Sequence, residues 1–189
     1  MDNTDVQFGT LITGRDLERH FELQNALIEF ARLFRDETND RAMVIVGAAF
    51  LDTQLEHIVL NFLVDDEKEV AKLIQYDQPL GTYGGRISAL YCLGLIGPVV
   101  RDDLRLVGKI RNRFAHNLHA TFDDQAIQSW CNLLKWHRVA YMTPPAGASV
   151  RDLFNVGVNQ LAAHLGGITS IARTSKRQIR NEFGDPNKK

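Results

Sequence analysis

The run Arg111-Asn112-Arg113-Phe114-Ala115-His116 is the one stretch of this sequence whose residue types and spacing suit bond-breaking chemistry. A histidine titrates near neutral pH and can move a proton, while an arginine offers a planar fork of donors that matches phosphate oxygens. Together they suit cleavage of an RNA backbone without a metal. His116 would move a proton at the 2'-hydroxyl or the leaving oxygen, Arg111 would stabilise charge on the phosphorane, and Asn112 would orient the imidazole or the phosphate. The competing reading is local. A histidine or arginine in the last turn of a helix is favoured by the helix dipole and needs no substrate.

A helix over residues 99–117 must position these groups. At about 100° per residue, Leu106, Val107, Ile110 and Phe114 turn to the core, and Arg105, Lys109, Asn112 and His116 form a polar stripe on the opposite side. Arg105, Lys109 and Arg113 are the candidate nucleic-acid contacts. Arg111 lies apart, near the edge of the core face. It meets His116 only by curling around the helix or by facing the stripe of a second chain in a symmetric dimer.

The rest of the chain reads as helices. Thr13 and Asp16 suggest a capping box for a helix over residues 14–36, and the polar stretch from Asp36 to Asp40 leads into a helix ending near Leu63, apolar all round as far as Leu51. A short helix is expected at 66–75, followed by a loop holding Pro79, Gly81, Gly84 and Gly85. A helix with Ile87, Leu90, Tyr91 and Ile96 should stop near Gly97-Pro98. Asp123 or Asp124 then caps a helix carrying Ile127, Trp130, Leu133, Leu134 and His137. Thr143 to Gly147 reads as a linker, and Ser149 with Asp152 opens a long amphipathic helix on which Val150, Phe154, Val158, Leu161, Leu165, Ile168 and Ala172 recur. Close packing should compensate the helix-weakening Gly157, Gly166 and Gly167 on it. No segment alternates with period two, so a sheet is not expected. The expected fold class is all-α, a single helical bundle of about six to seven helices. Its parts are an N-terminal tail (1–13), the bundle (14–142), a Pro/Gly linker (143–149), a C-terminal helix packing on the bundle (150–182) and a tail (183–189).

Composition narrows the function classes. With 22 Lys and Arg against 23 Asp and Glu the formal net charge is -1, so any nucleic-acid contact needs a local basic patch. The tail from Arg173 through Lys176, Arg177 and Arg180 to Lys188-Lys189 is one such patch, or a solvated helix end. Two isolated cysteines, Cys92 and Cys131, argue against a secreted disulfide framework and for a cytoplasmic setting. The beginning of the sequence lacks the pattern of a secretory signal, and the apolar run from Ala42 to Leu51 is too short for a bilayer, so no membrane role is expected. His116 and His119 stand three apart without a four-ligand set, so neither a metal nor another cofactor is expected. Asp52 and Glu56, one turn apart, either orient His116 or His57 or simply solvate a helix surface.

Arg111, Asn112 and His116 resemble the motif of the HEPN superfamily: arginine, a polar residue, three variable residues and histidine. The segments from Pro79 to Ile87 and from Leu90 to Ile96 more narrowly resemble the mannitol operon repressor (MtlR) family, and the combined likeness spans roughly residues 40 to 137. The resemblance implies a helical bundle and a homodimer packed through the helix carrying Arg111 to His116. It also implies one of two roles, a metal-independent endoribonuclease of toxin or defence systems, or a repressor-type regulator acting through RNA, DNA or a protein partner. A third reading is a non-catalytic interaction module. No convincing helix-turn-helix is present, because the helix after the Gly94–Pro98 turn directs its apolar residues inward.

Overall fold

The computed structural model describes residues 25–34, 36–139, 144 and 146–180. The suggested Thr13 capping box, most of the linker and the last residues of the tail lie outside them. Among the described residues there are eight helices and no strand: α1 (25–34), α2 (Asp40–Phe62), α3 (Glu67–Ile74), α4 (Tyr83–Cys92), α5 (Pro98–His116), α6 (Gln125–Leu133), α7 (Trp136–Val139) and α8 (Val150–Thr174).

Helix α2 is the axis of the bundle. Asn39 caps it by accepting from the Ala42 amide, and Met43, Val44, Leu51, Leu55, Ile58 and Val59 bury against α8 on one side and α4 and α5 on the others. By length and apolar content alone α2 could cross a membrane. In this fold it is the core helix, and Asp52 and Glu56 on it hold a buried arginine. The pairing of α2 with α8 is close because Gly47 admits the Phe34 ring and Val158, where a Cβ would sit 2.7 Å from the ring edge. The Ser149–Asp152 capping box starts α8 as expected. Of the three glycines on α8, Gly157 faces Leu134 and Gly166 faces Leu27, whereas Gly167 meets nothing within 4 Å.

Three boundaries differ from the sequence reading. Gly84 and Gly85 belong to the first turn of α4, because Thr82 accepts from the Gly85 amide. Helix α4 ends at Cys92, five residues before Gly97, where the chain turns through Gly94 at φ +73. The helix expected to start at Asp123 or Asp124 and reach as far as His137 is split in two. Buried Asp103 on α5 accepts from the Lys135 amide (3.0 and 2.9 Å) and the Trp136 amide (2.6 Å), so its carboxylate starts a new helix, α7. Leu106 is half-buried at a groove, and Val100 and Leu104 take its expected place in the core.

Two shielded imidazoles lie at α7. His137 is 3% exposed, with no hydrogen-bond partner for Nδ1 among the described residues, and the His164 ring on α8 lies 4.4 Å from the Trp136 ring, tilted by 48°. Burial lowers both imidazoles below their usual range; Arg138 lowers His137 further, against a smaller opposing pull from Asp103. A histidine whose folded value is depressed resists protonation that the unfolded chain accepts. Stability should therefore be full above about pH 6.5 and fall as the pH drops toward the depressed folded values, with a limiting slope of about 1.4 kcal/mol per histidine per pH unit. Thermal melts from pH 7.5 to 5 should show this fall, and His164→Gln should flatten it.

Candidate functional site

Helix α5 follows Gly97 with Pro98 in its first turn, where the missing amide is no loss, and its buried residues Val100, Leu104, Val107, Ile110 and Phe114 fix its rotation. That rotation decides which motif residues meet. Asn112, Arg113 and His116 are exposed and, with Lys109, Asn117 and Trp130 of α6, line an open cleft of about 360 Å³. Arg111 points the other way. Its guanidinium lies 5.6 Å from the centre of the Tyr83 ring on α4, and its Nε is buried without a hydrogen-bond partner among the described residues. Tyr83 reaches α5 because Gly108 carries no side chain (a Cβ there would be 3.0 Å from the ring), and the phenol donates to the Leu104 carbonyl at 2.9 Å. Burial, reinforced by Asp52, pushes that phenol well above its ordinary range. Asn112 and His116 are thus brought together, and Arg111 is held away from them within one chain.

The three candidate nucleic-acid cations differ in what already holds them. Arg113 pairs with Asp124 (Nε 2.9 Å, NH2 2.7 Å), which holds the Asp124 carboxyl below its usual range while the same side chain caps α6 through the Ala126 amide. Arg105 makes one long contact of 3.4 Å to the Ser88 hydroxyl. Lys109 has no ion-pair partner among the described residues. In the tail, Lys176 pairs with Asp65 and Arg177 lies 4.8 Å from the Phe62 ring, so those two cations close the bundle end.

Two positioning residues escaped the sequence reading. Arg86 on α4, 7% exposed, donates to Asp52 (2.6 Å) and Glu56 (2.5 Å), so these carboxylates neither reach His116 nor merely solvate a surface. The signal was present: an i, i+4 carboxylate pair on an otherwise apolar helix calls for a buried cation. Arg41 at the start of α2 donates to the carbonyls of Phe114, Asn117 (2.8 Å) and Leu118 (2.7 Å), clamping the end of α5 that bears His116. No local pattern announces a contact across 73 or more residues. Arg41→Ala should cost about 1–2 kcal/mol, since it removes charge-assisted bonds from unpaired helix-end carbonyls. Hydrogen exchange should quicken at Asn117–Ala120 before it quickens elsewhere.

No protein-family model matches the chain, and no curated protein matches it by sequence. Among solved structures, a chain of the MtlR–HPr complex from Escherichia coli superposes with a TM-score of 0.60 at 22% sequence identity, over 77% of this chain and 99% of that one. The all-helical fold is therefore that of an MtlR-like helical bundle.

Proposed function

We propose that this chain is a repressor-type regulatory protein that acts by binding a protein partner. The observation that carries the reading is a fold shared over 99% of a chain of the MtlR–HPr complex. HPr is accordingly the first partner to test, by calorimetric titration of the full chain. Work in the cytoplasm fits its free thiols, Cys92 exposed and Cys131 buried.

A second reading is a metal-independent ribonuclease of the HEPN type, favoured by the exposure of Asn112 and His116 on one cleft with Lys109. It requires the Arg111 of a second copy, since within one chain Arg111 packs on Tyr83. Incubating wild type, His116→Ala and Arg111→Ala with single-stranded RNA in excess EDTA separates the two. The regulator reading expects no cleavage above the variants. Cleavage lost in both variants, leaving 2',3'-cyclic phosphate ends, would install the ribonuclease. His116→Ala should stay within about 0.5 kcal/mol of wild-type stability, because the side chain is exposed.

A further inference from the structure

The cleft at His116 continues along α5. A second depression of about 300 Å³ lies between α5 and the α6–α7 junction, lined by Arg105, Leu106, Lys109, Leu133 and Lys135 and by the carboxylate-bearing Asp102 and Asp103, and Lys109 borders both. Joined at Lys109, the two depressions set apolar Leu106, Leu133 and Trp130 beside Arg105 and Lys109 of α5, with Asp102 and Asp103 at the far end of the second. Leu133 is 55% exposed and Leu106 and Trp130 are half-buried, while Arg105 and Lys109 stand one turn apart, about 6 Å, without a carboxylate partner among the described residues. Both lining carboxylates and Arg113 are already held, Asp102 by Arg101, Asp103 by the start of α7 and Arg113 by Asp124, so the cations left over are Arg105, Lys109 and Lys135.

We propose that this groove docks an amphipathic helix of a protein partner. The docked helix would lay leucine-like side chains on Leu106, Leu133 and Trp130 and present carboxylates, one turn apart, to Arg105 and Lys109. The proposal rests on the regulatory reading and names the surface and the chemistry of its partner. Charge complementarity selects an acidic segment. The apolar floor selects protein over a phosphodiester strand, which would leave Leu133 uncovered and would meet a chain of net charge -1. An acidic helix satisfies both walls at once, with the apolar floor supplying affinity and the cations supplying orientation and on-rate.

The test is selection from a library of helical peptides, randomised on one face, against the full chain, with Arg105→Glu/Lys109→Glu and Leu133→Ser as comparison proteins. Both variants change exposed side chains, and circular dichroism verifies that they keep the fold. Peptides enriched on wild type should carry Glu or Asp one turn apart beside leucines, and should lose at least about tenfold in affinity on each variant. The proposal is overturned if nothing is enriched, if the enriched peptides show no acidic excess, or if they bind the variants as well as wild type. It is equally overturned if a 20-nucleotide single-stranded RNA is the only probe that senses the charge reversal. Should HPr fail to bind while acidic helices are held in the groove, the surface stands and the regulator reading falls.

Discussion

Arg86→Ala should destabilise the fold by about 3 kcal/mol, lowering the melting temperature by roughly 6–12 °C for a chain of this size. Arg86 lies between α4 and α2 with 8% of its side chain exposed, and its two terminal nitrogens each hold a different carboxylate. Removing it leaves Asp52 and Glu56 without their cation, and leaves a hole where α4 meets α2. The carboxylates are 29% and 38% exposed, so water recovers part of the loss and keeps the cost toward the lower part of the range for a broken buried pair. Asp52→Asn and Glu56→Gln should each cost about 1 kcal/mol, because each removes one charge and retains an acceptor. Arg86→Lys should recover little, since a point charge cannot reach two carboxylates in a fork. Urea denaturation of the four variants checks this order. Equal losses for Arg86→Ala and Asp52→Asn would contradict it.

Asp103→Ala should cost a comparable ~3 kcal/mol, for a different reason. Here backbone amides take the place of a salt bridge. The carboxylate is 1% exposed, and its favourable contacts are the Lys135 and Trp136 amides. Burial raises the carboxyl above its ordinary range, and those two amides pull the other way, with smaller help from His137 and Lys135. Without the side chain, the start of α7 has two amides facing a small apolar gap. Asp103→Asn keeps an acceptor and should lose about half as much. The signature to measure is local: protection of the Lys135 and Trp136 amides should vanish in Asp103→Ala and persist in part in Asp103→Asn.

These two residues show what the sequence could and could not reveal. Periodicity located the long helices, because Phe154, Val158, Leu161, Leu165 and Ile168 on α8 and Val107, Ile110 and Phe114 on α5 are buried at the spacing the pattern demands. Local chemistry located the cap at Ser149 and narrowed that of α6 to Asp123 or Asp124, of which the structure uses Asp124. Nothing local could show that Asp103 interrupts a helix 32 residues further on, that Arg86 crosses 30 to 34 residues to its carboxylates, or that Arg41 reaches back over the end of α5. Such contacts depend on which helices become neighbours. For the candidate site, the wheel placed Asn112 and His116 together and Arg111 apart, and the structure supplied the cause: Gly108 leaves room for Tyr83, and Tyr83 holds Arg111.

Calorimetric titration of the full chain with HPr tests the regulator reading most directly. The account predicts a saturable heat that survives His116→Ala and Arg111→Ala, because partner binding does not use the motif as a catalyst. Absence of any binding by a wild-type protein whose helical signal and melting are intact would contradict it, and would contradict it most strongly if that protein cut RNA in EDTA and His116→Ala did not.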